Sequence, residues 1–286
     1  MCGEFDGAVS GIGRGGEGVK MQNESYLFHY TNVSALAQIL KNKTIKFSPL
    51  TVVDDLQEQD IQDRQKYGKY CFVSSWTDEE NESIPMWKMY ASMDSGARIK
   101  LPKYPFKEYV INDRNVPAYS ERNNISGLSV FTNNVFTESP YCPLPTKLLC
   151  KVEYTDDPHK LKPQVITVKN GQTTVSTDII GQCKSKYWKF QSEWRYVLFF
   201  LPFGYREMMR SARDDKNQSS LKKLALCPDL PFNYYFLEIN DNDFAQMEVV
   251  LSPKMSEGNK CIVELLKKEY NSSMKMMPSK LTGLIG

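Results

Sequence analysis

Short apolar runs, bounded by polar and turn-forming residues, dominate the pattern of the chain. Tyr26–Tyr30 reads as a buried strand, and alternation of Ile45 and Phe47 with polar neighbours predicts a second strand at 44–48. Between these strands the apolar residues recur at the spacing of one helix face: Val33, Leu36, Ala37 and Leu40. The folded domain is therefore predicted to open with a strand, a helix and a strand.

The same reading extends along the rest of the chain. Further strands are predicted at Tyr70–Trp76, Ala97–Leu101, Leu148–Tyr154, Val165–Val168, Gln191–Phe200, Tyr234–Ile239 and Met247–Leu251. Further helices are predicted at 53–67, from Pro85, at 175–190 and at Asn259–Tyr270. Polar insertions are predicted at 102–147 and 203–231. About ten strands with a few helices indicate an α+β fold.

The ends of the chain differ from its middle. Residues 1–20 are rich in glycine and poor in apolar side chains, so we expect a flexible tail. No strand precedes the Gly-x-Gly-x-x-Gly match at Gly11, which therefore reads as chance. Residues 21–270 are predicted to form a single domain, and residues 271–286 are predicted to be a loose tail.

Composition narrows the function classes. The 36 Lys and Arg nearly balance the 34 Asp and Glu, which removes a global electrostatic case for binding nucleic acid or a membrane. The 7 cysteines are scattered without a Cys-x-x-Cys pair, so we expect no disulfide framework and no metal site. No apolar run has transmembrane length and no signal peptide is recognisable. A cytoplasmic protein with reduced thiols fits this pattern.

His29 is the first candidate for chemistry. It is one of 2 histidines and lies at the end of the first predicted strand, beside Tyr30 and Thr31. The simple alternative is a histidine that satisfies a backbone group. Three polar side chains at one strand end could instead hold a sugar hydroxyl.

Glu193 is the second candidate, within the sequence Gln191-Ser192-Glu193-Trp194-Arg195. The simple alternative is an ion pair with Arg195 or Lys189. The surrounding aromatic residues favour a carboxylate with little water around it, able to stabilise a sugar that becomes cationic. Gln191 is predicted to project from the same strand face as Glu193.

A third group lies between these two. Trp87 and Tyr90 follow Pro85 on one face of a short helix; we expect Trp87 to be core and Tyr90 to face a ligand cleft. Ser74 and Ser75 on the preceding strand could contact a ribose or a phosphate, although ordinary strand serines are the simple alternative. The acidic residues at positions 54, 55, 58 and 60 could bind a cation, but an exposed acidic helix start is the favoured interpretation.

Several of these motifs occur together in one order: Phe28-His29-Tyr30-Thr31, Lys46-Phe47-Ser48, Cys71-Phe72-Val73-Ser74, Met86-Trp87-x-x-Tyr90, Val152-Glu153-Tyr154 and Glu193-Trp194-Arg195. In this order the chain resembles the bacterial family called domain of unknown function 2971, over roughly residues 26–266. The chain departs from that family at Asp54-Asp55-Leu56, where Asn-Asp-Pro is usual, and at Gln191, where many members have Glu.

That family in turn resembles the ADP-ribosyltransferase fold, which is a split β-sandwich. For this chain the resemblance implies such a sandwich with peripheral helices and long insertions. The resemblance implies NAD as a substrate and no metal. It implies that His29, with Tyr30 and Thr31, holds the NAD ribose and that Glu193 positions the reacting ribose. Ser74, Ser75 or Tyr90 would support the nicotinamide, and Gln191 would orient the acceptor.

The function implied is transfer of ADP-ribose from NAD to a macromolecular acceptor, either protein or nucleic acid. The reaction passes through an oxocarbenium-like centre that a carboxylate stabilises. A bacterial toxin, effector or anti-phage defence protein is the expected biological role. The alternative is a non-catalytic module on the same fold that binds a nucleotide or a partner.

Overall fold

A computed structural model describes residues 25–59, 67–112, 127–144, 148–169, 172–176, 179–213 and 219–285. The strands are β1 (Tyr26–Asn32), β2 (Thr44–Pro49), β3 (Cys71–Thr77), β4 (Gly96–Pro102), β5 (Tyr109–Ile111), β6 (Gly127–Ser129), β7 (Cys142–Leu144), β8 (Leu149–Lys151), β9 (Glu153–Thr155), β10 (Ile166–Lys169), β11 (Gln172–Val175), β12 (Cys183–Ser185), β13 (Glu193–Leu201), β14 (Tyr235–Glu238), β15 (Glu248–Leu251) and β16 (Lys275–Met277).

The helices are α1 (Val33–Asn42), α2 (Ile84–Met86), α3 (Asn133–Thr137), α4 (Pro158–Leu161), α5 (Tyr205–Arg213), α6 (Ser219–Leu226), α7 (Asp241–Ala245) and α8 (Glu257–Tyr270). A π-helical turn, Trp87–Ala91, continues α2, and shorter 3₁₀ turns include Leu56–Gln59 and Lys186–Gln191. This mixture of strands and helices confirms the α+β prediction. The predicted flexible tail at 1–20 lies outside the described residues.

One sheet organises the described part of the chain. It contains 10 strands, with the path β14-β2-β3-β1-β4-β15-β16 and with β13 joined to β3, β7 and β8. One edge of β3 pairs with β13 over the whole length of β3. The remaining pairing of β3 is divided between β1, at Thr77 alone, and β2, at Phe72 and Val73. The sheet therefore branches at β3, and β1 and β2 diverge from each other there. The main strands are hydrogen-bonded into this one sheet instead of two separate facing sheets.

Alternation along the central strands gives the sheet an apolar layer on each face. On one face a cluster around Leu27, Trp76, Tyr196 and Phe200 packs under α1 and α8. On the other face a second cluster surrounds Tyr70, Val73, Val197 and Phe199. Nine consecutive residues of β13 are nearly all buried, which confirms its prediction as a central strand.

The segment from β1 to β2 folds as its pattern predicts. The Asn32 side chain accepts a hydrogen bond from the Ala35 amide at 2.9 Å and caps α1. Lys43 ends the helix in the left-handed conformation, at φ 52°. The apolar face of α1 is buried, so the predicted strand–helix–strand opening is confirmed.

Three other predictions are wrong. The helix predicted at 175–190 is instead β12 followed by a 3₁₀ helix; Gly181, at φ 73°, turns the chain just before β12. The strand predicted at Leu148–Tyr154 is divided into β8 and β9, which join different sheets. The C-terminal segment is not loose, because β16 pairs with β15 and Met274 is fully buried.

Candidate functional site

The site develops from the first residues of β13. Glu193 pairs with Thr77 across the sheet and Arg195 pairs with Ser75, so these four residues share one face. The main chain is fixed from the other edge by the Val152 amide, which donates to the Glu193 carbonyl at 2.9 Å. The side chains of Glu193 and Arg195 thus enter the protein from a rigid central strand.

Four buried charged residues meet on this face, and we call them the ion cluster: Glu58, Lys184, Glu193 and Arg195. Arg195 donates from Nε to Glu193 at 2.6 Å and from NH2 to Glu58 at 2.9 Å. It also donates from NH1 to Glu58 and to the carbonyl of Gly181. The guanidinium is completely buried, and all of its N–H groups have acceptors.

Lys184 completes the ion cluster from β12. Its Nζ donates to Glu193 at 3.0 Å and to the Gln191 side chain at 2.8 Å, and it lies 3.3 Å from a carboxylate oxygen of Glu58. Two carboxylates therefore face two cations, and the buried charges balance. A balanced, fully hydrogen-bonded set is the arrangement in which buried charges are tolerated.

The ion cluster keeps Glu193 ionised. Burial alone raises the pKa of this carboxyl, but Arg195 and Lys184 outweigh it and hold the pKa at about 2. The Ser75 hydroxyl interacts with the same carboxylate and lowers its pKa further. Because Arg195 and Lys184 occupy both carboxylate oxygens, the negative charge is already compensated inside the protein.

The ion cluster extends to the surface through Gln191. The Gln191 amide donates to the Tyr90 hydroxyl, and the Asp54 carboxylate interacts with the same hydroxyl. Burial, followed by the negative charge of Asp54, raises the pKa of Tyr90. Tyr90 is half-buried and Met89 is exposed, so this part of the network reaches solvent.

A short 3₁₀ helix, Lys186–Gln191, covers the ion cluster. A 3₁₀ helix has about three residues per turn, so every third side chain is aligned. Buried Gln191 and half-buried Trp188 point inward, with the Trp188 ring centroid 4.9 Å from the Lys184 Nζ. Tyr187 and Phe190 point outward and are 91% and 42% exposed. We call this helix the aromatic ridge.

His29 is not part of this arrangement. Phe28 of β1 pairs with Thr77, which pairs with Glu193, so these three residues share a face and His29 projects to the other. There the His29 ring lies 5.0 Å from the Trp76 ring. The expectation that His29 and Glu193 line one cleft is therefore wrong, because the strand registers place them on opposite sheet faces.

The local role of His29 follows from the branching of the sheet. β1 pairs with β3 only at Thr77, so the Ser75 carbonyl has no main-chain hydrogen-bond partner in β1. The His29 Nδ1 donates to this carbonyl instead, at 2.8 Å. A carbonyl can only accept, so the proton is on Nδ1. Burial lowers the pKa of His29, partly offset by this hydrogen bond. The half-buried imidazole is thus held neutral and satisfies a backbone group.

The remaining predicted ligand residues divide between the faces. Ser74 is buried and accepts from the Trp76 indole at 3.0 Å, on the His29 face. Thr31 is buried on that same side of β1. The Tyr30 hydroxyl accepts from the Ser83 amide at 3.0 Å on the opposite side. Of the predicted set, only Ser75, Tyr90 and Gln191 join Glu193.

The burial of Trp87 and Tyr90 agrees with the prediction that Trp87 is the more deeply buried of the two. Trp87 is fully buried; its indole donates to Glu82 at 2.9 Å, and its ring makes an edge-to-face contact with the Tyr30 ring. Tyr90 remains half-buried at the end of the π-helical turn, beside Gln191. The prediction of Trp87 as a core residue is confirmed.

Sequence reasoning missed Glu58 and Lys184. Glu58 lies in the segment that was expected to be an exposed acidic helix start, and Lys184 lies in the segment predicted to be a helix. The signal that could have pointed to them is Arg195, because a cation in a strand this apolar requires buried carboxylates near it. A search for acidic partners of Arg195 would have included Glu58.

Other features of the described residues do not add chemistry. An open groove of about 500 Å³ lies between α1, the 91–95 turn and α8, and none of the predicted site residues lines it. The described residues include no group of three or more His, Cys, Asp or Glu placed to hold a metal ion. No described helix is long and apolar enough to cross a bilayer.

The fold and site define an α+β protein in which a buried ion cluster lies beneath an exposed aromatic ridge. No family model, curated protein or solved structure matches the chain. The resemblance to domain of unknown function 2971 therefore rests on the residues quoted for it, and the function has to be argued from the site.

Proposed function

We propose that the chain is a non-catalytic binding module whose binding surface is the aromatic ridge. The observation that carries the proposal is the exposure of Tyr187 and Phe190 on a helix that is held to the ion cluster at both ends. Lys184 lies just before the helix, and Gln191, its last residue, accepts a hydrogen bond from Lys184. Exposed aromatic side chains on a rigid support are the residue type that supplies most of the energy at interfaces.

The ion cluster supports the non-catalytic part of the proposal. A carboxylate stabilises a developing cation through charge that is free to act on it. The charge of Glu193 is balanced by Arg195 and Lys184 at hydrogen-bond distance, and its side chain is buried. A substrate ribose could reach this carboxylate only by displacing a buried cation, so we assign Glu193 a supporting role beneath the aromatic ridge.

A second candidate is NAD-dependent ADP-ribosyl transfer on a fold resembling the ADP-ribosyltransferase split β-sandwich. One contact favours it: the exposed Ser75 interacts with the Glu193 carboxylate, as a strand serine supporting the key glutamate would. The branched sheet at β3 and the Gln191-x-Glu193 spacing are compatible with it. The expected role in toxicity or defence, and any protein or nucleic acid acceptor, belong to this candidate.

The test separates the two candidates with one set of proteins. Purified chain is incubated with NAD labelled in its adenylate part, alone and with bacterial lysate. The binding-module proposal predicts no nicotinamide release and no labelled macromolecule. Either product, if it disappears in Ser75→Ala while the melting temperature is kept, would establish the transferase instead.

A second measurement tests the aromatic ridge directly. The double variant Tyr187→Ala/Phe190→Ala is expected to melt as the wild type does, because the side chains removed are exposed. It is expected to lose the macromolecules that the wild type retains from lysate. Retention equal to that of the wild type would remove the aromatic ridge from binding.

A further inference from the structure

We propose that the aromatic ridge binds single-stranded nucleic acid, a step that rests on the proposed binding function and names its partner. Three lines of side chains follow from the three-residue turn of this helix. Tyr187 and Phe190 form the outward aromatic line, while Lys186 and Lys189 form an exposed cationic line beside it. The third line, Trp188 and Gln191, faces the ion cluster.

The two outward lines match the two parts of a nucleotide. Each base offers an apolar face that stacks on an aromatic ring, and each linkage carries a negative phosphate. Successive side chains within one line are separated by about 6 Å along the helix. Adjacent aromatic and cationic lines at this repeat can take two successive nucleotides, with bases toward Tyr187 and Phe190 and phosphates toward the lysines.

The contacts that hold the aromatic ridge in place favour the stacking of bases on it. Trp188 is fixed between the Lys184 ammonium and the Phe190 ring, whose centroid lies 6.2 Å from its own. Phe190 is therefore backed by a ring that is itself held by a buried charge. Aromatic platforms that are rigid before binding lose less entropy when a base stacks on them.

The charge of the aromatic ridge favours weak, salt-sensitive binding. Lys189 has no ion-pair partner among the described residues, and Lys186 pairs with Asp156 at 2.7 Å across exposed surface. An exposed pair of this kind contributes little, so phosphate can replace the carboxylate. Two phosphate contacts predict a log–log salt slope of about −1.4 for a single strand.

The experiment is fluorescence anisotropy with a fluorescein-labelled oligothymidylate of about 12 nucleotides, a length within the site sizes of such proteins. Wild-type protein is expected to bind it and to bind the matching duplex much more weakly, because stacked bases are not available. Tyr187→Ala and Phe190→Ala should each weaken binding by roughly 5- to 150-fold. Tyr104→Ala, at a tyrosine 67% exposed elsewhere, is the matched control and should change nothing.

The charge variants test the cationic line. Lys189→Gln should reduce the salt slope by about 0.7, whereas Lys254→Gln, at another exposed lysine, should not. Asp156→Asn should tighten binding because it frees Lys186. Binding that is equal for single strand and duplex, or unaffected by Tyr187→Ala and Phe190→Ala, would overturn the inference.

The outcomes also separate this inference from the proposed function. No oligonucleotide binding at about 100 μM protein, together with retention of lysate proteins that depends on Tyr187 and Phe190, would overturn the nucleic acid and leave the binding module standing. Oligonucleotide binding together with Ser75-dependent NAD cleavage would overturn the non-catalytic assignment and leave the binding of nucleic acid standing.

Discussion

Replacing Glu193 by Gln should destabilise the folded protein by about 3–5 kcal/mol, because it leaves an uncompensated buried positive charge on Lys184 and Arg195. Because Gln keeps the shape of the Glu side chain, the loss of unfolding free energy measures the contribution of the negative charge. A second route gives a similar magnitude. The pKa of Glu193 is held at about 2, against an ordinary value of 4.5, which at about 1.4 kcal/mol per pKa unit corresponds to about 3 kcal/mol.

The assay is urea unfolding followed by tryptophan fluorescence, with the free energy of unfolding extrapolated to water. Glu153→Gln is the matched control, because Glu153 forms an exposed ion pair with Lys160, and it should cost less than about 1 kcal/mol. The double variant Glu193→Gln/Lys184→Gln restores the charge balance and should lose less than the sum of the single variants. A loss below about 1 kcal/mol for Glu193→Gln would refute the ion cluster as the support of this face.

Three further predictions concern the stability of the folded protein. Trp87→Ala should cost about 3–5 kcal/mol in urea unfolding, as large core truncations do, and more than Tyr90→Ala, since Trp87 is fully buried and Tyr90 is not; a larger loss for Tyr90→Ala would contradict the assignment. Gly96→Ala should lower the melting temperature, because a methyl group there overlaps a backbone oxygen, whereas Gly258→Ala in α8 meets open space and should gain about 0.5–1 kcal/mol. The stability that Glu193 contributes should be fully present above pH 4.5 and be lost as the pH falls toward 2, because its folded pKa lies below its unfolded pKa; an acid transition unchanged in Glu193→Gln would argue against this.

The strands and helices that depend on local pattern could be predicted from the sequence. Val33, Leu36 and Leu40 define the face of α1 that is buried, as their spacing predicts, and Asn32 caps the helix. The structure of segment 175–190 could not be predicted in this way. Its strand β12 is stabilised by pairing with β9 and by the burial of Lys184, and both are long-range effects.

The candidate site shows the same division. Glu193 with Arg195 could be anticipated as a pair, since both residues lie on one side of a strand at alternate positions. The relation of His29 to Glu193 could not, because it depends on the register of β1 with β3 and of β3 with β13. A shift of one residue in either pairing exchanges the sheet faces, and the sequence does not specify that register.

The most direct test of the account is a ¹³C NMR titration of the Glu193 side-chain carboxyl, assigned by comparison with Glu193→Gln. We predict a pKa of about 2 and no change in the carboxyl chemical shift when NAD is added, because Arg195 and Lys184 already hold the carboxylate. A pKa at or above the ordinary value of 4.5, or a carboxyl shift that follows NAD binding, would contradict it.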